Sequence, residues 1–166
     1  MTAGAQDQPA QGRFAGRMHL FPLRVYFEDT DLSGVVYHAN YLRYMERARS
    51  DMLHVAGIDQ RAHHEAGGGA YAIADLHIRY AAPARLGDAL LVESEVVQAR
   101  AASVVIHQTV RRGAEMLARA EVTAALVGGD GRPRRQPAAW LEQFRRLAAT
   151  AAADTATADT TGEETP

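Results

Sequence analysis

Residues 23–49 read LRVYFEDTDLSGVVYHANYLRYMERAR, and the hydrophobic period changes within them. Up to Phe27, apolar and polar residues alternate, which is the pattern of a half-buried β-strand. The sequence therefore predicts a strand that ends near Phe27 and a helix that begins between His38 and Tyr41, with Gly57 as its C-terminal cap. The apolar stripe that predicts this helix recurs at spacings of three and four residues: Tyr41, Met45, Ala48, Met52 and Val55.

Four further strand-like segments follow the helix, at residues 71–80, 89–98, 102–111 and 116–127, with turn residues between them. The short connections favour antiparallel neighbours. We therefore expect an α+β fold in which an antiparallel five-stranded sheet packs on one long central helix. Open sheet edges favour pairing with a second subunit, so a homodimer that assembles to a homotetramer is predicted.

The length and the tails favour a single domain. The chain has 166 residues, enough for one well-buried core. Residues 1–17 lack periodic apolar positions, and residues 148–166 are acidic and poor in large apolar side chains. We expect a disordered N-terminal tail at 1–17, the domain at 18–147 and a disordered acidic C-terminal tail at 148–166.

Composition excludes several classes of function. The formal net charge of -2 gives no basic excess of the kind that nucleic-acid binding requires. The chain has no cysteine, which excludes disulfides and thiolate chemistry and fits a reducing compartment. No apolar run is long enough to span a bilayer, so stable membrane insertion is not expected and a cytoplasmic location is predicted.

The loop before the predicted helix contains candidate catalytic residues. The first N–H groups of a helix lack internal partners, and the helix dipole attracts an anion there. Asp31 precedes His38 by seven residues, so its carboxylate can attack a carbonyl or activate water while the helix amides hold the developing oxyanion. Gly34 allows close backbone approach, and Asn40 is a candidate helix cap. Alternatively, Asp29 and Asp31 only satisfy loop amides, or Asp29, Asp31 and His38 hold a divalent ion.

Two segments carry a family resemblance. LRVYFEDTDLSGVVYHANYLRYMERAR and the later YAAPARLGD at residues 80–88 resemble the 4-hydroxybenzoyl-CoA thioesterase group of hotdog-fold enzymes, and within it the YbgC-like, Tol-Pal-associated acyl-CoA thioesterases. The similarity extends from about Leu20 to Phe144. It implies a hotdog fold in which the sheet wraps the helix, two subunits join their sheets, and active sites lie at the dimer interface.

The resemblance also implies an activity and its residues. The expected reaction is hydrolysis of an acyl-CoA to a carboxylic acid and free coenzyme A, without metal or cofactor, with acyl carrier protein left open as an alternative carrier. Asp31 and His38 are the implied catalytic residues; the His38 backbone N–H polarises the thioester carbonyl and its imidazole supports positioning. The implied substrate-binding residues are Gly34, Val35, Tyr37, Asn40, Arg100 and Ser103, of which the last two face the coenzyme A phosphates.

Other interpretations of the same residues stay open. Glu46 is either a second-choice catalytic acid or part of a surface network with Arg43 and Arg49. A hotdog dehydratase would use His38 to abstract a proton, and an acyl-thioester-binding adaptor would do no chemistry. The arginines within residues 132–135 are a second candidate for phosphate contacts. A serine hydrolase is disfavoured because no GxSxG motif occurs.

Overall fold

A six-stranded antiparallel sheet and three α-helices form residues 8–148, the part of the chain that the computed structural model describes. Across the sheet the strand order is β1-β2-β4-β5-β6-β3, so β1 and β3 are the edges. The strands are β1 (Arg13–Ala15), β2 (Met18–Arg24), β3 (Ala70–Tyr80), β4 (Ala89–Ala99), β5 (Ser103–Arg112) and β6 (Glu115–Val127). The helices are α1 (His38–Val55), α2 (Gln60–Glu65) and α3 (Ala138–Ala148).

The long helix α1 lies on the inner face of the sheet, against β2, β4 and β5. The apolar stripe predicted from its sequence is buried from Tyr41 to Met52, and Tyr44 is buried beside it. Gly57 follows the end of the helix with a φ of 75°, a left-handed conformation that favours glycine. The predicted helix bounds and the α+β hotdog arrangement are confirmed.

The sheet has one strand more than the five predicted. The extra strand, β1, pairs with β2 and lies inside residues 1–17, the predicted disordered tail. Asp51 of α1 anchors this segment, since its carboxylate accepts the Gly12 N–H at 2.9 Å and lies 2.8 Å from Nε2 of buried His19. Ordered chain therefore begins before the predicted boundary at residue 17; the predictions for residues 1–7 and 149–166 lie outside the described residues.

The first long strand ends earlier than predicted. β2 stops at Arg24, and residues Phe27–Asp29 form a 3₁₀ turn rather than the end of a strand. The backbone of Val25 bonds to the turn before β4 instead, through its N–H to Asp88 and its carbonyl to Gly87. Phe27, at the predicted end of the half-buried strand, is 81% exposed. The alternation of apolar and polar residues continued three residues beyond the end of the strand, because the sequence of the turn also alternates.

The helix α3 was not predicted and completes the core at the far end of α1. Phe144 is fully buried in a cluster with Met52, Leu53 and Val96. Trp140 stacks on Tyr71 of β3 with the ring centroids 6.2 Å apart. The apolar positions 140, 141, 144 and 147 after Pro137 were the available signal for this helix. No helix within residues 8–148 is long and apolar enough to cross a membrane.

We predict that Phe144→Ala destabilises the fold by about 3–5 kcal/mol, because it leaves a cavity in a closed cluster. Arg145→Ala, on the exposed side of the same helix, should change the free energy of unfolding by no more than about 0.5 kcal/mol. Urea denaturation of both variants at one protein concentration measures the difference. Equal losses would contradict the packing of α3 on β4 and the end of α1.

Candidate functional site

A closed turn brings Asp31 beside the start of α1. Thr30 and Val36 form an antiparallel β-bridge, and inside it the Asp31 N–H donates to the Val35 carbonyl at 3.0 Å. The Gly34 N–H donates back to the Asp31 carbonyl at 3.0 Å, and Gly34 has a φ of 77°. Since that left-handed conformation is strained for other residues, Gly34 serves the geometry of the turn.

The Asp31 carboxylate is exposed and held by Ser33. The Ser33 hydroxyl and N–H both donate to Oδ1, the N–H at 2.8 Å. These two bonds, the hydroxyl's first, lower the pKa of the Asp31 carboxyl below its usual value, and nearby His38 lowers it further. Within residues 8–148, Oδ2 has no hydrogen-bond partner. The group is therefore an ionised carboxylate with one oxygen available for chemistry.

Asp29 and Asn40 form the buried anchor beneath this turn. The Asp29 carboxylate accepts the Tyr26 N–H and the Asn40 side-chain amide, both at 2.8 Å. Asn40 is 5% exposed and does not cap α1, whose N-cap position is Tyr37. The alternative that an acidic side chain only satisfies local groups thus holds for Asp29. The Asn40 side chain thus makes a positioning contact through its amide nitrogen, and its predicted substrate contact stays a prediction.

The amide at the start of α1 is available. Within residues 8–148, no backbone or side-chain acceptor receives the His38 N–H. The Tyr80 hydroxyl donates to the His38 carbonyl at 2.9 Å, which fixes the first turn of the helix to β3. The His38 ring lies 4.5 Å from the Tyr37 ring, centroid to centroid. An unpaired amide at the positive end of a helix is a ready site for an oxyanion.

An open hollow of about 310 Å³ adjoins this amide, lined by Val36, His38, Tyr41, Tyr80 and residues 81–83. Its walls are mainly apolar side chains of the loop, the helix and the end of β3. An apolar group attached to a carbonyl at the His38 amide has space there.

The segment at residues 80–88 holds the site loop in place. The Val36 N–H donates to the Ala84 carbonyl, and the Ala84 N–H donates to the Tyr41 hydroxyl, both at 2.8 Å. At the end of the segment, the Arg85 N–H and the Arg112 guanidinium donate to Asp88. In that order they lower the pKa of the Asp88 carboxyl. Two motifs quoted from distant parts of the sequence therefore meet at one site.

The other predicted residues divide between the site and remote positions. Gly34 and Tyr37 are exposed beside Asp31, and Val35 is half-buried and bridged to Arg85. Arg100 and Ser103 form the β4–β5 turn, whose carbonyls accept from the Gln136 side chain. No hydrogen bond among the described residues connects that turn to the Asp31 loop, so its phosphate-binding role stays a prediction.

The remaining candidates belong to structural pairs. Glu46 forms an ion pair with Arg49 and accepts from the Ser50 hydroxyl, and among the described residues no ion pair joins it to Arg43. Arg134 donates to the Gly67 carbonyl at 3.0 Å.

Within residues 8–148, no three His, Asp or Glu side chains are grouped to hold a metal ion. The sequence did not lead us to Ser33 or Tyr80, although Ser33 lies within residues 23–49 and Tyr80 begins the YAAPARLGD motif.

Comparison with known proteins adds family evidence. The sequence model of the thioesterase-like superfamily matches residues 25–154, which include the Asp31 loop and all of α1. The acyl-CoA thioesterase YbgC of Haemophilus influenzae is 42% identical over 107 residues, covering 64% of this chain and 79% of that protein. The acyl-CoA thioester hydrolase YbgC of Escherichia coli O6:H1 is 37% identical over 128 residues, covering 76% of this chain and 95% of that protein.

A solved structure agrees with these matches. The probable thioesterase from Bartonella henselae is 34% identical and superposes with a TM-score of 0.68, covering 72% of this chain and 99% of that one. The similarity therefore extends to nearly the whole of a known three-dimensional fold.

We predict that Ser33→Ala raises the pKa of the Asp31 carboxyl towards its ordinary value, because it removes the hydroxyl that most favours the ionised form. The side-chain carboxyl carbon chemical shift of Asp31, followed by NMR through an acid titration, measures the change. Asp88, held by other donors, is the internal control and should titrate as before. An unchanged Asp31 midpoint would contradict the assigned role of Ser33.

Proposed function

The chain belongs to the thioesterase-like superfamily, and from that premise we propose that it hydrolyses acyl-CoA thioesters at the Asp31 loop. The observation that supports this site is that Asp31 has one carboxylate oxygen without a donor, while His38, close enough to lower the pKa of the Asp31 carboxyl, has a helix amide without an acceptor. The thioester contains the two features that such a pair addresses, an electrophilic carbonyl carbon and an oxygen that becomes negative.

The proposed chemistry follows from those two groups. The His38 N–H and the α1 dipole stabilise the carbonyl oxygen as it gains charge. Oδ2 of Asp31 either attacks the carbonyl carbon or takes the proton of an attacking water. In both routes the carbon–sulfur bond breaks, and the thiolate of coenzyme A leaves and takes up a proton. Direct attack leaves a mixed anhydride on Asp31, which water hydrolyses to release the carboxylic acid and restore the carboxylate; in the other route the attacking water itself becomes part of the acid. Because Asp31 acts as the ionised form and its pKa is low, the reaction extends into mildly acidic solution.

The surroundings of the site suggest separate binding places for the acyl group and for its carrier. The apolar hollow beside His38 suits the acyl group, while the carrier extends towards solvent past exposed Gly34 and Tyr37. We retain coenzyme A as the carrier, with acyl carrier protein as the alternative, and Arg100 and Ser103 as candidate phosphate contacts. The absence of cysteine supports a cytoplasmic location.

A second copy of the chain is proposed to complete the site. Apolar side chains next to Asp31 are exposed in the single chain, with Phe27 81% and Leu32 106% exposed. β3 is an edge strand of the sheet, so one of its two sides pairs with no strand among the described residues. Both features favour burial against another subunit, in a homodimer that assembles further to a homotetramer.

We predict that Asp31→Asn lowers kcat/KM for acyl-CoA hydrolysis by at least about a hundredfold, because the amide is neither a base nor a nucleophile. Release of free thiol from a panel of acyl-CoAs and acyl carrier protein thioesters is the measurement. Glu46→Gln should retain most of the activity, since Glu46 pairs with Arg49 rather than facing Asp31.

The opposite ranking of these two variants would transfer the catalytic role to Glu46. Hydrolysis by neither the native chain nor any variant, with bound acyl-CoA detected by calorimetry, would favour the adaptor interpretation.

We also predict that the chain sediments as a homodimer or a multiple of it. Leu32→Asp should shift the distribution towards monomer, because it places a charge where an exposed apolar side chain beside the site is proposed to contact the second subunit. Analytical ultracentrifugation at several concentrations measures this. Arg61→Asp, on exposed helix α2, is the control and should leave the distribution unchanged. A monomeric native chain that is fully active would contradict the proposed assembly.

A further inference from the structure

A groove leads away from the candidate site between α1 and the edge strand β3. The helix packs on β2, β4 and β5 and leaves the inner face of β3 partly uncovered, with Ile73 46% and Tyr80 43% exposed. The Tyr80 hydroxyl ties the start of the groove to His38. From there the side of α1 that faces the groove continues through Leu42, four residues on, towards Glu46 and Arg49.

Three hollows follow one another along this groove. The first is the hollow beside His38 and Tyr80. The second, of about 560 Å³, is lined by Leu42, Leu76, Ile73 and the α1 arginines beside Glu46. The third, of about 90 Å³, is more enclosed; beyond Glu46 and Arg49 its lining is mainly apolar, with Phe144 and Tyr71, and also includes Ser50 and Gln60. The second and third hollows share Glu46, Arg49 and Ile73.

The groove is interrupted by a rigid charged pair. Arg49 is 7% exposed and donates to Oε1 of buried Gln108 at 2.6 Å and to Glu46. Gln108 is itself fixed, because its amide donates to the Met45 carbonyl at 3.0 Å and the Ser94 hydroxyl at 2.9 Å. Arg49 therefore cannot swing aside without leaving buried polar groups unpaired. An apolar chain that reached this point would have to desolvate the pair.

We propose that the Glu46–Arg49 pair is the end stop of the acyl-binding groove, so that the substrates are acyl thioesters of short to medium chain length. This rests on the proposed function, since the groove is measured from a carbonyl at His38. Eight residues of helix separate His38 from Glu46, or about 12 Å. Carbon–carbon bonds of about 1.5 Å advance an extended chain by about 1.3 Å per methylene, which accommodates an acyl group of about eight to ten carbons.

The test is the chain-length profile of kcat/KM for straight-chain acyl-CoAs from butanoyl to hexadecanoyl, at concentrations where all are monomeric. For the native chain we expect a maximum at or below decanoyl and a fall of at least about tenfold by hexadecanoyl. The double variant Arg49→Met with Gln108→Leu breaks the Glu46–Arg49 pair by replacing Arg49 and its buried partner Gln108 with apolar groups of similar volume, a change that folds often tolerate. It should raise the hexadecanoyl-to-octanoyl ratio by about tenfold, because the third hollow then becomes reachable.

Two further variants keep the test decisive. Leu42→Trp narrows the groove before the stop without touching the buried network, and should depress octanoyl hydrolysis while butanoyl hydrolysis is retained. Arg61→Met, on α2 and outside the groove, is the matched arginine control and should leave the profile unchanged.

Several outcomes would overturn the end stop while leaving the thioesterase function intact. They are a native profile that is flat to hexadecanoyl, or a profile that neither the double variant nor Leu42→Trp alters. A shift in oligomeric state with an unaltered profile would instead assign the groove to a second copy of the chain. Failure to hydrolyse any acyl-CoA or acyl carrier protein thioester would overturn the proposed function itself.

Discussion

The short bridge between Thr30 and Val36 is the constraint on which the site depends. It folds the loop back so that the Asp31 carboxylate lies near His38, the first residue of the long helix α1. Neither group suffices alone. A carboxylate in an exposed loop is ordinarily structural, and a helix amide is ordinarily solvated. Their proximity, with one carboxylate oxygen left available by Ser33, is what makes the arrangement suited to attack on a carbonyl.

The rest of the fold holds that bridge in position. Asp29 and Asn40 lock it from below, and Ala84 links Val36 to the Tyr41 hydroxyl inside the core. Burial of the α1 stripe prevents the helix from sliding relative to the loop. Stability and chemistry therefore depend on the same residues at the start of α1. Further along the helix, Glu46 and Arg49 are proposed to limit the length of the groove, and the end that α3 covers contributes to stability.

Much of the architecture could be predicted from the sequence because hydrophobic periods report burial directly. The change from period two to a helical period located the loop and the start of α1 correctly, and alternation located the four later strands. Two errors had local causes. The β1 strand carries little apolar signal because Asp51 and His19 anchor it through polar contacts, and the turn after Arg24 mimics a continuing strand.

The candidate site was predictable in part for a different reason. Asp31, Gly34 and His38 lie close in sequence, so one motif contains them. The contacts of Tyr80 with His38 and of Ala84 with Val36 join residues more than forty positions apart, and the single sequence does not encode such distances locally. Asn40 illustrates the limit, since its type fits a cap or a ligand contact, and only the packed structure reveals that Asp29 occupies its side chain.

The most direct measurement is a crystal structure of the protein with an acyl-CoA analogue in which a methylene replaces the thioester sulfur. The account predicts that the ketone oxygen lies within about 2.7–3.2 Å of the His38 N–H. It also predicts that an Asp31 oxygen, or one water bound to it, lies about 3–3.5 Å from the carbonyl carbon. A ketone bound away from His38, with Asp31 turned to bulk solvent in every subunit, would contradict it.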